Sequence, residues 1–141
     1  MKIVTWNVNS VRTRIDHLIN LIKKYSPDIV CLQETKVIDD SFPEKKFLEF
    51  GYFSYFHGTP SYNGVAILSK IRAQKIQSYN FCGKKDARHI QINLGPCQIH
   101  SIYVPAGGDL PDPKLNDKFK HKLTFLDEMD KWSAKLEKKN I

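Results

Sequence analysis

The 141-residue sequence is poor in cysteine and contains no long hydrophobic run. Its three cysteines form no Cys-x-x-Cys pair, and their odd number argues against a disulfide framework. A reducing compartment, most simply the cytoplasm, is therefore expected. No apolar stretch approaches the roughly 18 residues that a membrane span needs. The N-terminal segment turns polar too soon for a signal peptide, and no repeat or low-complexity linker interrupts the chain. Because 41% of the residues are hydrophobic, the composition is that of a chain that can build a core.

Positively charged residues are in excess. Lysine and arginine total 22 against 15 acidic residues, which gives a net charge of +7. A basic surface attracts polyanions such as nucleic acids or acidic membranes, whereas a merely lysine-rich protein has the same composition. Charge alone therefore leaves the partner open.

The order of predicted elements indicates an α/β fold. Residues 2–8 and 28–33 read as strands, and a helix over 11–25 with Ser10 as its N-cap connects them, which predicts a parallel βαβ unit. Ser41 and Glu44 have the spacing of a capping box and predict a short second helix. Further strands are predicted at 52–57, 64–70, 75–79, 88–94 and 98–104, and a last helix is predicted at 114–139, with Asn140 as its C-cap. Its apolar face comprises Leu115, Phe119, Leu123, Leu126, Met129 and Leu136.

Three polar residues stand at the ends of apolar strands: Asn7, Glu34 and Tyr103. Ligand sites in open α/β sheets collect at the carboxyl ends of strands. If the first two strands are parallel neighbours, Asn7 and Glu34 emerge side by side, and a carboxylate beside an amide oxygen can hold a cation such as Mg²⁺. The alternatives are a turn asparagine, a solvated glutamate and a half-buried tyrosine.

At these residues the sequence resembles a known family. Leu32-Gln33-Glu34-Thr35-Lys36, preceded by Pro27-Asp28-Ile29-Val30, looks like the metal-binding signature of the exonuclease III family, the Mg²⁺-dependent exonucleases and abasic-site endonucleases of DNA base-excision repair. Trp6-Asn7-Val8-Asn9-Ser10-Val11-Arg12 resembles the family's opening motif. Further blocks follow in the family's order: Phe42-Pro43, Gly51-Tyr52, His57-Gly58, residues 62–69 and Tyr103-Val104-Pro105.

The resemblance implies a role for several residues. Glu34 would ligate Mg²⁺ (with Mn²⁺ as a possible substitute), Asn7 would complete the metal site, and Tyr103 would direct its hydroxyl at the scissile phosphate. Asn9 and Lys36 would support these groups from behind. Residues implied to lie near the DNA are Arg88, Tyr62 and Asn63. The implied partner is double-stranded DNA, especially abasic sites and 3′ ends, and no membrane.

The resemblance also implies a fold and a missing half. Family members are four-layer α/β sandwiches with two packed sheets, and residues 1–141 match only the N-terminal portion of that single domain. The family's Gly-Asp-Phe/Leu-Asn and Ser-Asp-His motifs, which supply the general base and the histidine, do not occur. Gly108-Asp109-Leu110-Pro111 imitates the first motif but precedes the last helix and has proline for asparagine, and Ala106 replaces an amide residue.

Three hypotheses follow from these departures. The chain is the N-terminal portion of a DNA repair nuclease, truncated and inactive alone. Alternatively, it is a non-catalytic or decayed fragment that binds DNA or pairs with a separate C-terminal half. The third reading, a phosphoesterase of the same fold acting on lipid head groups, is least favoured by the Leu-Gln-Glu-Thr-Lys block and the basic charge.

Overall fold

The computed structural model describes residues 1–136, which form two units. The first unit comprises residues 1–79 and 86–103, and the second comprises residues 80–85 and the chain from residue 104 onward. Within residues 1–136, no helix is both long and apolar enough to cross a bilayer.

The first unit begins with the predicted βαβ crossover. Strand β1 (Ile3–Asn7) and strand β2 (Ile29–Gln33) are parallel, with Ile3 opposite Ile29 and Asn7 opposite Gln33, and helix α1 (Ile15–Tyr25) connects them. Strands β3 (Phe53–His57) and β4 (Val65–Ser69) form an antiparallel pair, and β4 also pairs with β2. The resulting sheet has the order β1-β2-β4-β3, which confirms the parallel βαβ prediction.

A second sheet, with the order β5-β6-β7, completes the first unit. It contains β5 (Lys75–Gln77), β6 (His89–Leu94) and β7 (Cys97–Ile102), all antiparallel, with the predicted Gly95-Pro96 turn before β7. The two sheets pack face to face because each contributes apolar side chains to one buried cluster. Its buried members are Ile29, Cys31, Val65, Ile67, Ile90, Ile92 and Leu94.

The helices α1 and α2 (Glu44–Leu48) contribute to a second cluster, which covers the other face of the first sheet. Leu18 and Ile22 of α1 and Phe47 of α2 are buried there with Val30 and Leu68. A sheet whose faces are both covered reads as a continuous apolar run, as the Ile-Val-Cys-Leu sequence of β2 does. The α/β class with two packed sheets is therefore confirmed.

Helix α1 begins at Ile15, four residues after the predicted start, and Ser10 is not its N-cap. The backbone amides of Ser10 and Val11 donate to the carbonyl oxygens of Glu34 and Thr35, at 2.8 and 3.0 Å. These bonds hold the chain against the β2 loop, and Ser10 has a φ of 89° that no helix allows. Apolar periodicity alone cannot detect such a tether.

The predicted capping box of the second helix is wrong. Ser41 ends a short 3₁₀ helix (Asp39–Ser41), and α2 begins at Glu44 after Pro43, with no side-chain cap. Proline is well suited to the start of a helix because it lacks an amide hydrogen that would need a partner. The helix still ends before Gly51, which has the left-handed φ of 82°.

The second unit contains helix α3 (Asp117–Ser133), which is shorter at both ends than the predicted 114–139 because residues 134–136 are not helical. The Asn116 side chain accepts hydrogen bonds from the amides of Lys118 and Phe119 and so fixes the first turn. The rest of the predicted C-terminal end, residues 137–139 with Asn140 as the C-cap, lies outside the described residues.

The predicted apolar face of α3 is partly wrong. Phe125 is its only fully buried residue and packs against Phe81, with 4.6 Å between ring centroids. Leu115 and Leu123, by contrast, are exposed. Apolar side chains at helical spacing occur on more than one side of α3, so periodicity alone did not identify Phe125 as the residue that fills the interior.

Candidate functional site

The ends of the two parallel strands place an amide beside a carboxylate. Asn7 is the last residue of β1, and Glu34 directly follows β2. Because the register pairs Asn7 with Gln33, the two side chains leave the same edge of the sheet. Asn7 Nδ2 donates a hydrogen bond of 2.8 Å to Glu34 Oε1. The predicted juxtaposition is present.

Tyr103 reaches the same carboxylate from the second sheet. It follows β7, and its backbone amide donates to the carbonyl of Arg88 at 2.8 Å. The Tyr103 hydroxyl donates to Glu34 Oε1 at 2.7 Å. Burial, followed by the bond to Glu34, raises the pKa of Tyr103 above its ordinary value. The phenol therefore stays protonated at neutral pH and acts as a donor.

Glu34 is held as a carboxylate by the groups around it. The hydrogen bond from Asn7 is the largest cause that lowers the pKa of Glu34, and the bonds from Tyr103 and Lys36 add to it against the opposing effect of burial. Lys36 Nζ lies 3.3 Å from Oε2. Because about 20% of the Glu34 side chain is exposed, an incoming group can reach the carboxylate.

Asn9 and Lys36 contact the carboxylate–amide pair of Glu34 and Asn7 and hold it in position. Lys36 Nζ also donates to Asn9 Oδ1. The Asn9 backbone amide in turn donates to Asn7 Oδ1 at 3.2 Å. Both the nitrogen and the oxygen of the Asn7 side-chain amide are thus hydrogen-bonded, which fixes the orientation of the amide that faces Glu34. The predicted metal ligands Asn7 and Glu34, the predicted catalytic Tyr103 and the predicted supporting residues Asn9 and Lys36 therefore form one connected network.

The loop after β2 has an unusual backbone. Glu34 and Lys36 have φ values of 54° and 53°, a region that costs free energy for residues with a Cβ. Thr35, between them, is buried, and its amide donates to the carbonyl of Gly64. A Cβ on Gly64 would lie 2.2 Å from Thr35 Oγ1, so only glycine fits there. Sequence reasoning gave neither Thr35 nor Gly64 a role, although both lie in the quoted motif blocks.

Arg88 packs on the tyrosine rather than on Glu34. Its guanidinium lies 4.7 Å from the centroid of the Tyr103 ring, and its Nη1 donates to the Tyr103 carbonyl. The Arg88 Nε is paired with Asp86 at 2.7 Å. Asp86 is a further residue that sequence reasoning missed, and the only available signal was its place two positions before Arg88.

The two remaining predicted residues differ in their surroundings. Asn63 Nδ2 donates to the backbone oxygen of Asp86, and the Asn63 carbonyl accepts from the amide of Lys36. Asn63 therefore joins the Glu34 loop to the Arg88 segment. Tyr62 is 75% exposed at the loop between β3 and β4, and the structure does not bring its ring into the network.

The donor set fits a hard cation that is held mainly by other ligands. Glu34 is the one carboxylate of the network, and residues 1–136 contain no group of three or more histidine, cysteine, aspartate or glutamate side chains placed to hold a metal. Mg²⁺ is often bound through one or two carboxylates, with waters and substrate phosphates completing its octahedral shell. Zn²⁺ sites require three or four protein ligands, so the residues present fit Mg²⁺ better.

Comparison with known proteins gives a consistent result. Residues 4–139 match the model of the endonuclease/exonuclease/phosphatase family. The sequence is 32% identical over 113 residues to exodeoxyribonuclease III of Haemophilus influenzae. The aligned region covers 76% of this chain and 42% of that protein.

Solved structures show the same partial correspondence. A 3′–5′ exonuclease from Neisseria meningitidis superposes with a TM-score of 0.82 at 32% identity, covering 92% of this chain and 50% of that one. An AP endonuclease from Archaeoglobus fulgidus gives a TM-score of 0.81 at 34% identity, covering 92% and 49%. The chain therefore spans about half the length of these structural relatives.

Proposed function

The chain belongs to the endonuclease/exonuclease/phosphatase family, and we propose that it carries the metal-binding side of a Mg²⁺-dependent DNA repair nuclease. The resemblance to exonuclease III that the motif blocks predict is confirmed by the family match and by relatives named exodeoxyribonuclease III and AP endonuclease. The proposed reaction is hydrolysis of DNA phosphodiesters, as a 3′–5′ exodeoxyribonuclease and an abasic-site endonuclease.

The observation that carries this proposal is the single ionised carboxylate with three donors around it. Asn7, Tyr103 and Lys36 hold Glu34 deprotonated and oriented at the end of β2. Glu34 would hold the cation, with Asn7 beside it. When bound, Mg²⁺ would neutralise charge on the scissile phosphate and on the leaving 3′-oxygen.

Each remaining group has a role that its contacts support. Tyr103 keeps its proton, so its hydroxyl, which donates to Glu34 in this structure, would be able to donate to a phosphate oxygen instead once a cation occupies that carboxylate. Arg88, stacked on the Tyr103 ring, holds that ring in place and adds positive charge toward the DNA. Tyr62 and Asn63 are the proposed rim on the DNA side.

DNA is the partner that we propose, with abasic sites and 3′ ends as the preferred structures. A relative from Xenopus laevis is named as an endonuclease of apurinic or apyrimidinic sites. The net charge of +7 supports binding to phosphates, and such binding weakens as salt rises because counterions are released. The free thiols of the three cysteines are compatible with the cytoplasm as the proposed compartment.

The 141 residues lack two parts of the proposed machinery. They contain neither a Gly-Asp-x-Asn nor a Ser-Asp-His motif. We therefore propose that they are the N-terminal portion of one catalytic domain and have little or no nuclease activity by themselves. A C-terminal half that carries these two motifs would restore the general base and the histidine.

The test combines cleavage and metal binding. A duplex with one abasic site is incubated with the purified chain in Mg²⁺ or in EDTA, and Mn²⁺ binding is followed by water proton relaxation. We expect Mn²⁺ binding that Glu34→Ala reduces at least tenfold, with no cleavage. The matched control is Glu49→Ala, because Glu49 is an exposed carboxylate that pairs with Lys46 and lies outside the network around Glu34.

Each other outcome removes a defined part of the proposal. Cleavage that requires both Mg²⁺ and Glu34 refutes inactivity of the isolated chain and supports the metal role. Mn²⁺ binding that Glu34→Ala leaves unchanged refutes the metal site. A folded sample that binds abasic duplex without any metal response favours the alternative of a non-catalytic DNA-binding fragment.

A further inference from the structure

A groove of about 490 Å³ lies in the first unit where the edges of its two sheets meet. One wall is formed by α2 and the outer strand β3, and the other by the segment that leads into β5. Its lining includes Leu48, Phe53, Ser54, Arg72 and Ile76. None of these residues belongs to the network around Glu34, so the groove is not explained by the proposed nuclease function.

Both strands beside the groove have an unpaired edge. Among residues 1–136, β3 pairs only with β4, and β5 pairs only with β6. The outward N–H and C=O groups of an edge strand form a template for one more strand. Partner segments frequently bind to such edges in extended conformation, with alternate side chains in the adjoining pockets.

Three large aliphatic side chains at the groove are exposed to solvent. Leu48, Ile71 and Ile76 are 57%, 51% and 54% exposed, although each carries a large aliphatic side chain. Ile71 precedes Arg72, and the other two line the groove itself. Exposed aliphatic side chains that gather around one concavity indicate an interaction surface rather than scattered surface residues.

The charged groups of the groove indicate the sign of the charge on its partner. Lys45 and Arg72 line it and Lys75 opens β5, whereas Glu44 is the acidic residue of the lining. Ser54 lines the same groove, and within the described chain its Oγ is shielded from solvent and has no hydrogen-bond partner.

We propose that this groove docks an extended acidic peptide segment of a partner protein, which adds as a strand along the open edge of β3. Apolar side chains on alternate positions occupy the space between Leu48 and Ile76. Acidic side chains on the partner face Lys45 and Arg72. The free edge explains the extended conformation, and the excess of cations explains the preference for acidic residues.

The test uses a fluorescein-labelled decapeptide of alternating valine and glutamate, measured by fluorescence anisotropy with the full chain. We expect saturable binding that Arg72→Glu and Ile76→Asp each weaken tenfold or more. Lys84→Glu is the matched control, because Lys84 is exposed and does not line the groove. The same peptide with N-methylated valines lacks the strand-forming amides and is expected not to bind.

Amide shift mapping locates the peptide. In ¹⁵N-labelled protein, the largest changes are expected in β3 and β5, and circular dichroism verifies that each variant is folded. If Ile76→Asp does not fold, the exposed Arg72→Glu variant and the methylated peptide still decide the outcome.

Three results overturn the proposal. The first is peptide binding that Arg72→Glu leaves unchanged, or no binding to the folded chain. The second is binding of a ten-nucleotide oligothymidylate to the same residues in preference to the peptide, which assigns the groove to nucleic acid. The third is self-association in sedimentation that Ile76→Asp abolishes, which assigns the surface to a second copy of the chain.

Discussion

Tyr103 and Glu34, which are 69 positions apart, share one short hydrogen bond of 2.7 Å from the phenol hydroxyl to Oε1. The same oxygen accepts the amide hydrogen of Asn7 at 2.8 Å. One carboxylate oxygen thus connects the first strand, the loop after the second strand and the end of the last strand of the first unit. Because donors surround this oxygen, the carboxylate is stabilised in its charged form.

Replacing Tyr103 with phenylalanine removes the donor but keeps the ring under Arg88. Since the phenol hydrogen bond lowers the pKa of Glu34, we expect that pKa to rise in Tyr103→Phe. The unfolding free energy falls by about 1 kcal/mol, the usual contribution of such a bond. Carboxyl ¹³C shifts of Glu34 followed against pH measure the first effect.

The control for this variant is Tyr25→Phe, since Tyr25 is an exposed tyrosine at the end of α1. The Glu34 pKa is expected to be unchanged there. A Glu34 pKa that is equal in Tyr103→Phe and in the parent protein contradicts the assigned hydrogen bond.

Gly64→Ala is expected to destabilise the loop after β2. The new Cβ would meet Thr35 Oγ1 at 2.2 Å, and a φ of 89° is unfavourable for any residue with a Cβ. The matched control is Gly95→Ala, because Gly95 also has a positive φ but has no atom within 4 Å of an added Cβ. Gly95→Ala is expected to cost about 1 kcal/mol, and Gly64→Ala clearly more.

Urea unfolding of the two glycine variants measures this difference directly. Equal losses of stability in both variants mean that backbone conformation alone matters and that the contact with Thr35 relaxes freely. A larger loss for Gly64→Ala supports the tight approach of the β4 segment to the Glu34 loop.

How much of the site was predictable from sequence depends on what kind of signal each residue leaves. Asn7 and Glu34 were predictable because strand ends and parallel register follow from local patterns. The pairing of Tyr103 with Glu34 depends on how two sheets pack, and only the family resemblance indicated it. Thr35 and Gly64 act through backbone fit, which leaves no charge or periodicity in the sequence.

In the fold too, features set by local sequence were predictable and features set by distant contacts were not. All seven strands fall within a few residues of their predicted positions, because apolar runs and the Gly95-Pro96 turn mark them locally. The start of α1 was wrong because the amides of Ser10 and Val11 are bound by a distant loop. Helix α3 begins at Asp117 rather than at residue 114, because the Asn116 side chain accepts hydrogen bonds from the amides of Lys118 and Phe119 and so fixes the first turn there.

Protein stability is expected to fall on mild acidification because of His89. This residue is buried in β6, where burial first and then the nearby charges of His100 and His57 lower its pKa to about 4. In the unfolded chain the pKa is about 6.5. Between these values the unfolded state binds a proton that the folded state does not, so stability is complete above pH 6.5 and decreases as the pH falls toward 4.

The fully developed loss is about 3 to 4 kcal/mol, because the pKa of His89 is lowered by roughly 2.5 and each pKa unit corresponds to 1.36 kcal/mol. Urea unfolding midpoints, recorded from about pH 7.5 down to about pH 4.5, measure this loss of stability. His89→Gln is expected to flatten this pH dependence, whereas the exposed His17→Gln leaves it unchanged. An unchanged slope in His89→Gln contradicts the prediction and assigns the acid sensitivity to other groups.

Phe125 decides which face of α3 holds the second unit together. It is fully buried and packs against Phe81 at 4.6 Å, and Phe81 in turn meets the Trp132 ring edge-on at 5.4 Å. Truncation of a buried phenylalanine leaves a cavity and costs about 3–5 kcal/mol. Phe125→Ala is therefore expected to unfold the unit around α3, seen as loss of amide protection in that helix by hydrogen exchange.

The control is Leu123→Ala, which removes a more exposed leucine of the face that periodicity predicted. A loss of less than about 1 kcal/mol in the free energy of unfolding is expected for this variant. If Leu123→Ala is the more damaging substitution, the leucine face is the buried one and the packing of Phe125 does not stabilise the unit.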